Sequence, residues 1–353
     1  MSADERLLPF RRDGKWGYLF ASGATSGAVA IEPRFTHAFD FCDGFARVNV
    51  GGADEDDSDQ VVGRFGFIDR TGAFALEPVY DGAEDFQEGL ACVHVDARKG
   101  YAPYDSRYYV TGGRFGFVDA KGWRIRAEYE SASSFSEGLA GARVEGRWGF
   151  VDHDGRLVIE PRFRSGGPFR DALAPVSVSV EKKDLYGYID PAGAMRIEPR
   201  WRLAYEFSGG LGLVLDGATY RYFLLGPTGD VVVALPPSVG HALSLSEGLC
   251  AASRAEIRQL NDGSFCPMSG GRWGFVDMSG AFVIEPRFEW VSSFKDGLAA
   301  AREGGKSGYI DRVGTFVVPP TFDGAAPVQL GLGQVWRGGD VFYVDLRRYT
   351  SAS

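Results

Sequence analysis

Residues 146–163, GRWGFVDHDGRLVIEPRF, return as residues 271–288, GRWGFVDMSGAFVIEPRF, with fourteen of the eighteen positions identical. Two such copies confine the chain to repeat architectures, in which each unit buries its apolar surface against its neighbours. Trp148, Phe150 and Asp152 alternate with Gly149 and Val151, the period of a strand, with the aromatics on one oily face. Gly149, lacking a Cβ, suits a place where another backbone or ring comes close. Asp152-His153-Asp154-Gly155 has the Asp and Gly of a type I turn, so Leu157-Val158-Ile159 reads as a returning strand. Pro161 cannot donate to a ladder, and pairing is expected to stop there.

The aromatic-Gly-aromatic anchor, with a Gly seven residues later, recurs along the chain. It stands at Trp16-Gly17-Tyr18, Phe65-Gly66-Phe67, Phe115-Gly116-Phe117, Trp148-Gly149-Phe150, Tyr186-Gly187-Tyr188, Trp273-Gly274-Phe275 and Ser307-Gly308-Tyr309. Between the last two of these and Tyr186 lies a degraded copy, Tyr222-Phe223-Leu224, and a partial ninth begins at Val341. Each anchor is followed by a second signature, as in Phe86-Gln87-Glu88-Gly89-Leu90-Ala91 and Phe294-Lys295-Asp296-Gly297-Leu298-Ala299. The lone Phe is expected to plug the core, Glu-Gly to turn, and Leu-Ala to open a third short strand.

Anchor spacings of 49, 50, 33, 38, 36, 51, 34 and 34 give a basic period of about 34, with three units enlarged. The extra residues fall at one topological position, as inserts 51–62, 96–113 and 255–270, and are expected to emerge on one edge of the array. High glycine content, 49 residues, fits many tight turns.

Lys15-Trp16-Gly17-Tyr18, Arg147-Trp148-Gly149-Phe150 and Arg272-Trp273-Gly274-Phe275, with the E-G-L-A signature, resemble the WG-repeat (KWG-repeat) proteins of bacteria. The resemblance runs over nearly the whole chain and implies an all-β interaction scaffold with no shared catalytic residues. The predicted fold is therefore one all-β array over residues 1–353, eight three-stranded repeats plus a partial ninth. An open superhelical β-solenoid is favoured because the period is short beside that of larger propeller blades; a closed β-propeller is the alternative.

Formal net charge is −9, and five of those charges sit in Asp54, Glu55, Asp56, Asp57 and Asp59, leaving −4 for the remainder. No basic stripe follows a phosphate backbone, which argues against nucleic acid. No run of 18 apolar residues occurs, and the first residues lack the apolar core of a signal peptide, so the expected setting is cytoplasmic and off the membrane. Cys42, Cys92, Cys250 and Cys266 have no CxxC spacing and read as free thiols.

Candidate binding residues lie in two inserts. The acidic insert opens like a calcium loop. However, Asp59 stands where such a loop needs Gly and Phe65 where it needs Glu, so no metal is assigned; the insert reads as a solvated acidic loop, with a basic protein surface as its candidate partner. The second insert carries Tyr101, Tyr104, Arg107, Tyr108 and Tyr109, the residue types enriched at protein interfaces; packing of the loop onto its sheet is the competing use. Glu32/Arg34, Glu160/Arg162, Glu198/Arg200 and Glu285/Arg287 recur at the proline and are expected to meet as surface ion pairs. Asp69, Asp119, Asp152, Asp190, Asp277 and Asp311 recur at one turn position, where turn chemistry explains them.

No nucleophile elbow, P-loop, dinucleotide fingerprint or zinc-type histidine spacing is present, and His153 reads as a tolerant surface position. The expectation is a non-catalytic scaffold that binds another protein without a cofactor, as an inhibitor, immunity protein or sensor-adaptor subunit does. A glycan-binding module and a glycan-active enzyme built on two nearby carboxylates are the alternatives.

Overall fold

The computed structural model describes residues 6–21, 27–51, 63–102, 107–259, 265–267, 271–329 and 331–349. All regular structure among them is β. The chain divides into two compact units; among the described residues Met1–Phe163 holds four main antiparallel sheets and one two-stranded hairpin, and Arg164–Ser353 five main sheets and one two-stranded hairpin. Each sheet is built from consecutive stretches of chain.

The fourth sheet shows the plan. Its strands are Ser131–Ala132, Ala140–Val144, Arg147–Val151 and Leu157–Phe163, in that spatial order. The three expected strands are present and a fourth, only two residues long, joins them. The Leu-Ala strand pairs with the anchor that follows it: Ala142 lies opposite Gly149 and Val144 opposite Arg147. The sheet is thus offset from the sequence repeat. The first sheet (Leu7–Arg12, Lys15–Phe20, Val29–Phe35) lacks the short strand. The ninth (Gly324–Ala325, Leu332–Arg337, Asp340–Asp345) lacks the last one.

Two-residue turns set this register. Glu145-Gly146, Asp13-Gly14 and Gly304-Gly305 place both residues at positive φ, the type I′ geometry that matches strand twist. Trp148 then pairs with Phe163 and Phe150 with Ile159, so Glu160-Pro161-Arg162 bulges outward across from Gly149. A Cβ on Gly149 would lie 2.4 Å from the Ile159 carbonyl oxygen and 2.8 Å from the Pro161 nitrogen, which is why this position carries Gly in the full repeats. Because Pro161 lies in the outermost strand, it also blunts the sheet edge.

The expectation of one oily face is exceeded. Phe150 and Val151 alternate along the strand, so they point to opposite faces, and both are fully buried. Val151, Ala140 and Ala142 pack on Phe117, Ile125 and Tyr129 of the preceding sheet. Phe135 fills the gap with its ring centroid 4.8 Å from that of Phe117, and Phe294 does the same 4.5 Å from Phe275. Such a ring pair adds about 1 kcal/mol beyond burial. Gly155 rests on Ile125, and Gly314 on Ile284, tying each hairpin turn to the sheet before it.

Polar residues reinforce the same interfaces. In the Glu-Gly turns the acid sits at positive φ and accepts a hydrogen bond from the glycine N–H of the next repeat's turn. Examples are Asp43 to Gly89 (2.9 Å), Glu88 to Gly138 (3.0 Å), Asp171 to Gly210 (2.8 Å) and Glu247 to Gly297 (3.1 Å). The recurring turn aspartates accept local N–H groups, as Asp152 does from Asp154 and Arg156 at 2.9 Å.

The Glu/Arg pairs behave differently from the expectation. Glu32 binds Arg12 at 3.0 Å and Glu285 binds Arg254 at 3.1 Å, each across the intervening anchor strand of its sheet. Arg34 and Arg287 instead donate to the carbonyls of Gly72 and Gly314 in the next repeat and stack over Phe35 and Phe288. The bulge separates the two side chains of each pair and frees the arginine to reach across.

Candidate functional site

Where most sheets close their second and third strands with a two-residue turn, three carry inserts. The acidic insert leaves this connection in the second sheet, between Phe45–Val50 and Arg64–Ile68, and Asp54, Glu55, Asp56, Asp57 and Asp59 lie outside the described residues. In the third sheet the connection grows into a two-stranded hairpin, Arg98–Ala102 with Arg107–Thr111. Tyr101 pairs directly with Tyr108, Gly100 with Tyr109 and Ala102 with Arg107; Tyr104 is outside the described residues. The seventh sheet carries a smaller hairpin, Ile257–Gln259 with Phe265–Pro267.

The tyrosine hairpin is fixed at its foot. Buried Asp81 accepts from the Ala97 N–H at 2.9 Å and pairs with Arg64. His94, also buried, lies 2.8 Å through Nε2 from the Gly112 carbonyl and stacks on Phe115 at 4.1 Å. Position 94 corresponds to Arg143 and Arg302 in the tight-turned sheets, where Arg143 pairs with Glu130 and Arg302 with Glu289 at 3.6 Å. The arginine that covers a short turn is thus exchanged for a planar ring that clamps a long one.

A second feature was not singled out by motif. In the Arg164–Ser353 unit a cleft of about 450 Å³ opens beside the short strands, between Ser165, Gly167 and Tyr186 on one side and Tyr205, Glu206 and Ser244 on the other. It arises from one cross-strand row: Ser165 faces Ser177, Ser177 faces Tyr186, and Tyr186 faces Trp201. The eighth sheet fills the first two places of this row with Trp290 and Arg302. Two serines, their hydroxyls 2.7 Å apart, leave that volume empty. The sequence signal is Gly166-Gly167-Pro168 followed by the degraded sixth anchor, both departures from the repeat.

The remaining polar chemistry is committed to the framework. His153 stacks on Phe135 at 4.3 Å and lies 3.1 Å from Glu88. Arg312 occupies the same turn position, over Phe294 and 3.4 Å from Glu247. His153 is therefore a structural contact and not the tolerant position expected. Cys92 and Cys250 are free and buried, and burial pushes both thiols up to about 12. Among the described residues no group of three or more His, Cys, Asp or Glu stands close enough to hold a metal ion. No helix among the described residues is long and apolar enough to cross a membrane.

Comparison with solved structures bears on the fold alone. The chain is similar to a solved structure described as a eukaryotic initiation factor, with a TM-score of 0.59 at 10% identity, covering 97% of this chain and 96% of that one. It is also similar to the β-propeller domain of the Trilobed protease from Pyrococcus furiosus, with a TM-score of 0.39 at 9% identity over 78% and 98% of the two chains. No curated protein matches it. The family model described as the WG containing repeat matches residues 25–52, 65–97, 115–148, 148–179, 186–220, 273–306 and 308–335, leaving 221–272 unmatched around the degraded anchor. The recurring aromatic-Gly-aromatic anchors and the sheets they build thus belong to a protein of the WG-repeat family.

Proposed function

We propose that this protein is a non-catalytic scaffold that binds another protein through its inserts, in the manner of an inhibitor, immunity protein or adaptor subunit. The observation that carries the reading is the tyrosine hairpin. Its sheet would close with a two-residue turn, yet it spends a whole ribbon, Tyr101 paired with Tyr108, on a foot clamped by Asp81 and His94. Tyrosine and arginine are the residue types enriched where proteins bind one another. A two-stranded ribbon also has two free edges, and such a ribbon is marginal in stability without a partner. The recurring carboxylates, by contrast, are engaged in turns and inter-repeat hydrogen bonds, which favours a framework role over acid–base chemistry.

The test is affinity capture from native lysate. One bait is the intact chain; in the other, residues 96–113 are replaced by the Glu-Gly turn found between Val144 and Arg147. A protein captured by the intact chain and lost from the shortened one supports the reading. Equal capture by both, or none by either, overturns it.

A further inference from the structure

The cleft between the fifth and sixth sheets has features of a ligand site that the repeat does not require. Its 450 Å³ falls within the range of small-molecule sites. Two of its hydroxyls, those of Tyr186 and Ser244, make no hydrogen bond among the described residues. The ring of Tyr205 is held in place by packing against the buried cluster that includes Tyr222. The backbone carbonyl of Tyr205 is fixed as well, accepting from the Tyr188 hydroxyl at 2.7 Å.

Charge narrows the chemistry. Among the described residues Glu206 is the only ionised group on the wall, and Arg170 stands 3.7 Å from it. The pair offers no net charge to an anion or a cation. What the walls present instead is two tyrosine rings and hydroxyls that both donate and accept. Ring faces accommodate the C–H faces of a pyranose, and hydroxyl groups match its own.

We propose that this cleft is a binding site for a neutral saccharide of one or two rings. Tyr186 and Tyr205 supply the apolar walls, and the free hydroxyls of Tyr186 and Ser244 supply the polar contacts. The site is independent of the hairpin, so a scaffold and a sugar-responsive scaffold are separately testable.

The experiment is calorimetric titration of the full chain with glucose, galactose, N-acetylglucosamine, maltose and cellobiose, with glucose 6-phosphate and glucosamine as charged comparators. The expected result is saturable binding of at least one neutral sugar. Ser244→Trp, which fills the cleft from a half-buried position, should abolish it with an unchanged melting temperature. Tyr186→Phe, which removes a hydroxyl the fold does not use, should weaken it by about tenfold. No binding by any neutral sugar, tighter binding of a charged comparator, or binding that survives both substitutions overturns the proposal.

Discussion

The segments 146–163 and 271–288 differ at four positions, and their backbones pair alike. Trp148–Phe163, Phe150–Ile159 and Val151–Leu157 match Trp273–Phe288, Phe275–Ile284 and Val276–Phe282. What differs is the setting. The first copy follows a Glu-Gly turn, the second a hairpin insert. His153 has Phe135 and Glu88 to meet, whereas its counterpart Met278 is 43% exposed, in a repeat whose plug residue is Leu245 and whose preceding turn is Gly209-Gly210. Identical residues build the same sheet in both places, and residues that change do so in concert with their neighbours in adjoining repeats.

If the framework is shared, the same cut should cost the same in either copy. Phe150→Ala and Phe275→Ala each remove a fully buried ring and should lower stability by about 4 kcal/mol, read from denaturant unfolding. Gly149→Ala and Gly274→Ala each drive a methyl onto a carbonyl oxygen, of Ile159 at 2.4 Å and Ile284 at 2.2 Å, and should cost about 3 kcal/mol. A large difference between the two members of either pair breaks the equivalence.

Exchanging the residues that differ should give unequal results. His153→Met loses a ring stack and the 3.1 Å contact with Glu88 and should cost about 1 kcal/mol. Met278→His gains neither and should change stability by less than about 0.5 kcal/mol. Equal effects would show that the turn residue does not answer to the adjoining repeats.

The smallest effect concerns pH. The Ser279 hydroxyl and N–H hold the Asp277 carboxylate below its ordinary range, as Thr71 does for Asp69. A carboxylate depressed in the folded state stabilises above its unfolded value, about 4, and that contribution fades as pH falls through the lowered one. The melting temperature should therefore drop on acidification from about pH 5, and Asp277→Asn should make the drop shallower. An unchanged slope would contradict it.

Much of the framework was legible because each repeat writes its local physics in residues a few positions apart. Gly149 signalled close approach, Asp152 a turn, and Phe135 a plug, and the structure shows all three. The two-residue strand Ser131–Ala132 is too short to leave a period. The partner of Arg287 could not be read, because the bulge at Pro286 carries the side chain to Gly314 of the next repeat. The cleft was hidden for a related reason. Ser165, Ser177, Tyr186 and Trp201 are far apart in sequence and form a row only once register is known. Its trace was an irregularity, Gly166-Gly167-Pro168 followed by the degraded sixth anchor.

The central claim, that copies carry the fold and departures from them carry recognition, is tested most directly by calorimetry with the captured partner. The intact chain and the chain with residues 96–113 replaced by Glu-Gly are titrated side by side, and the thermal melting of each is recorded. The account predicts melting temperatures within about 5 °C of each other and an affinity lowered about a hundredfold or more by the replacement. Unchanged affinity in a shortened chain that melts normally would contradict it.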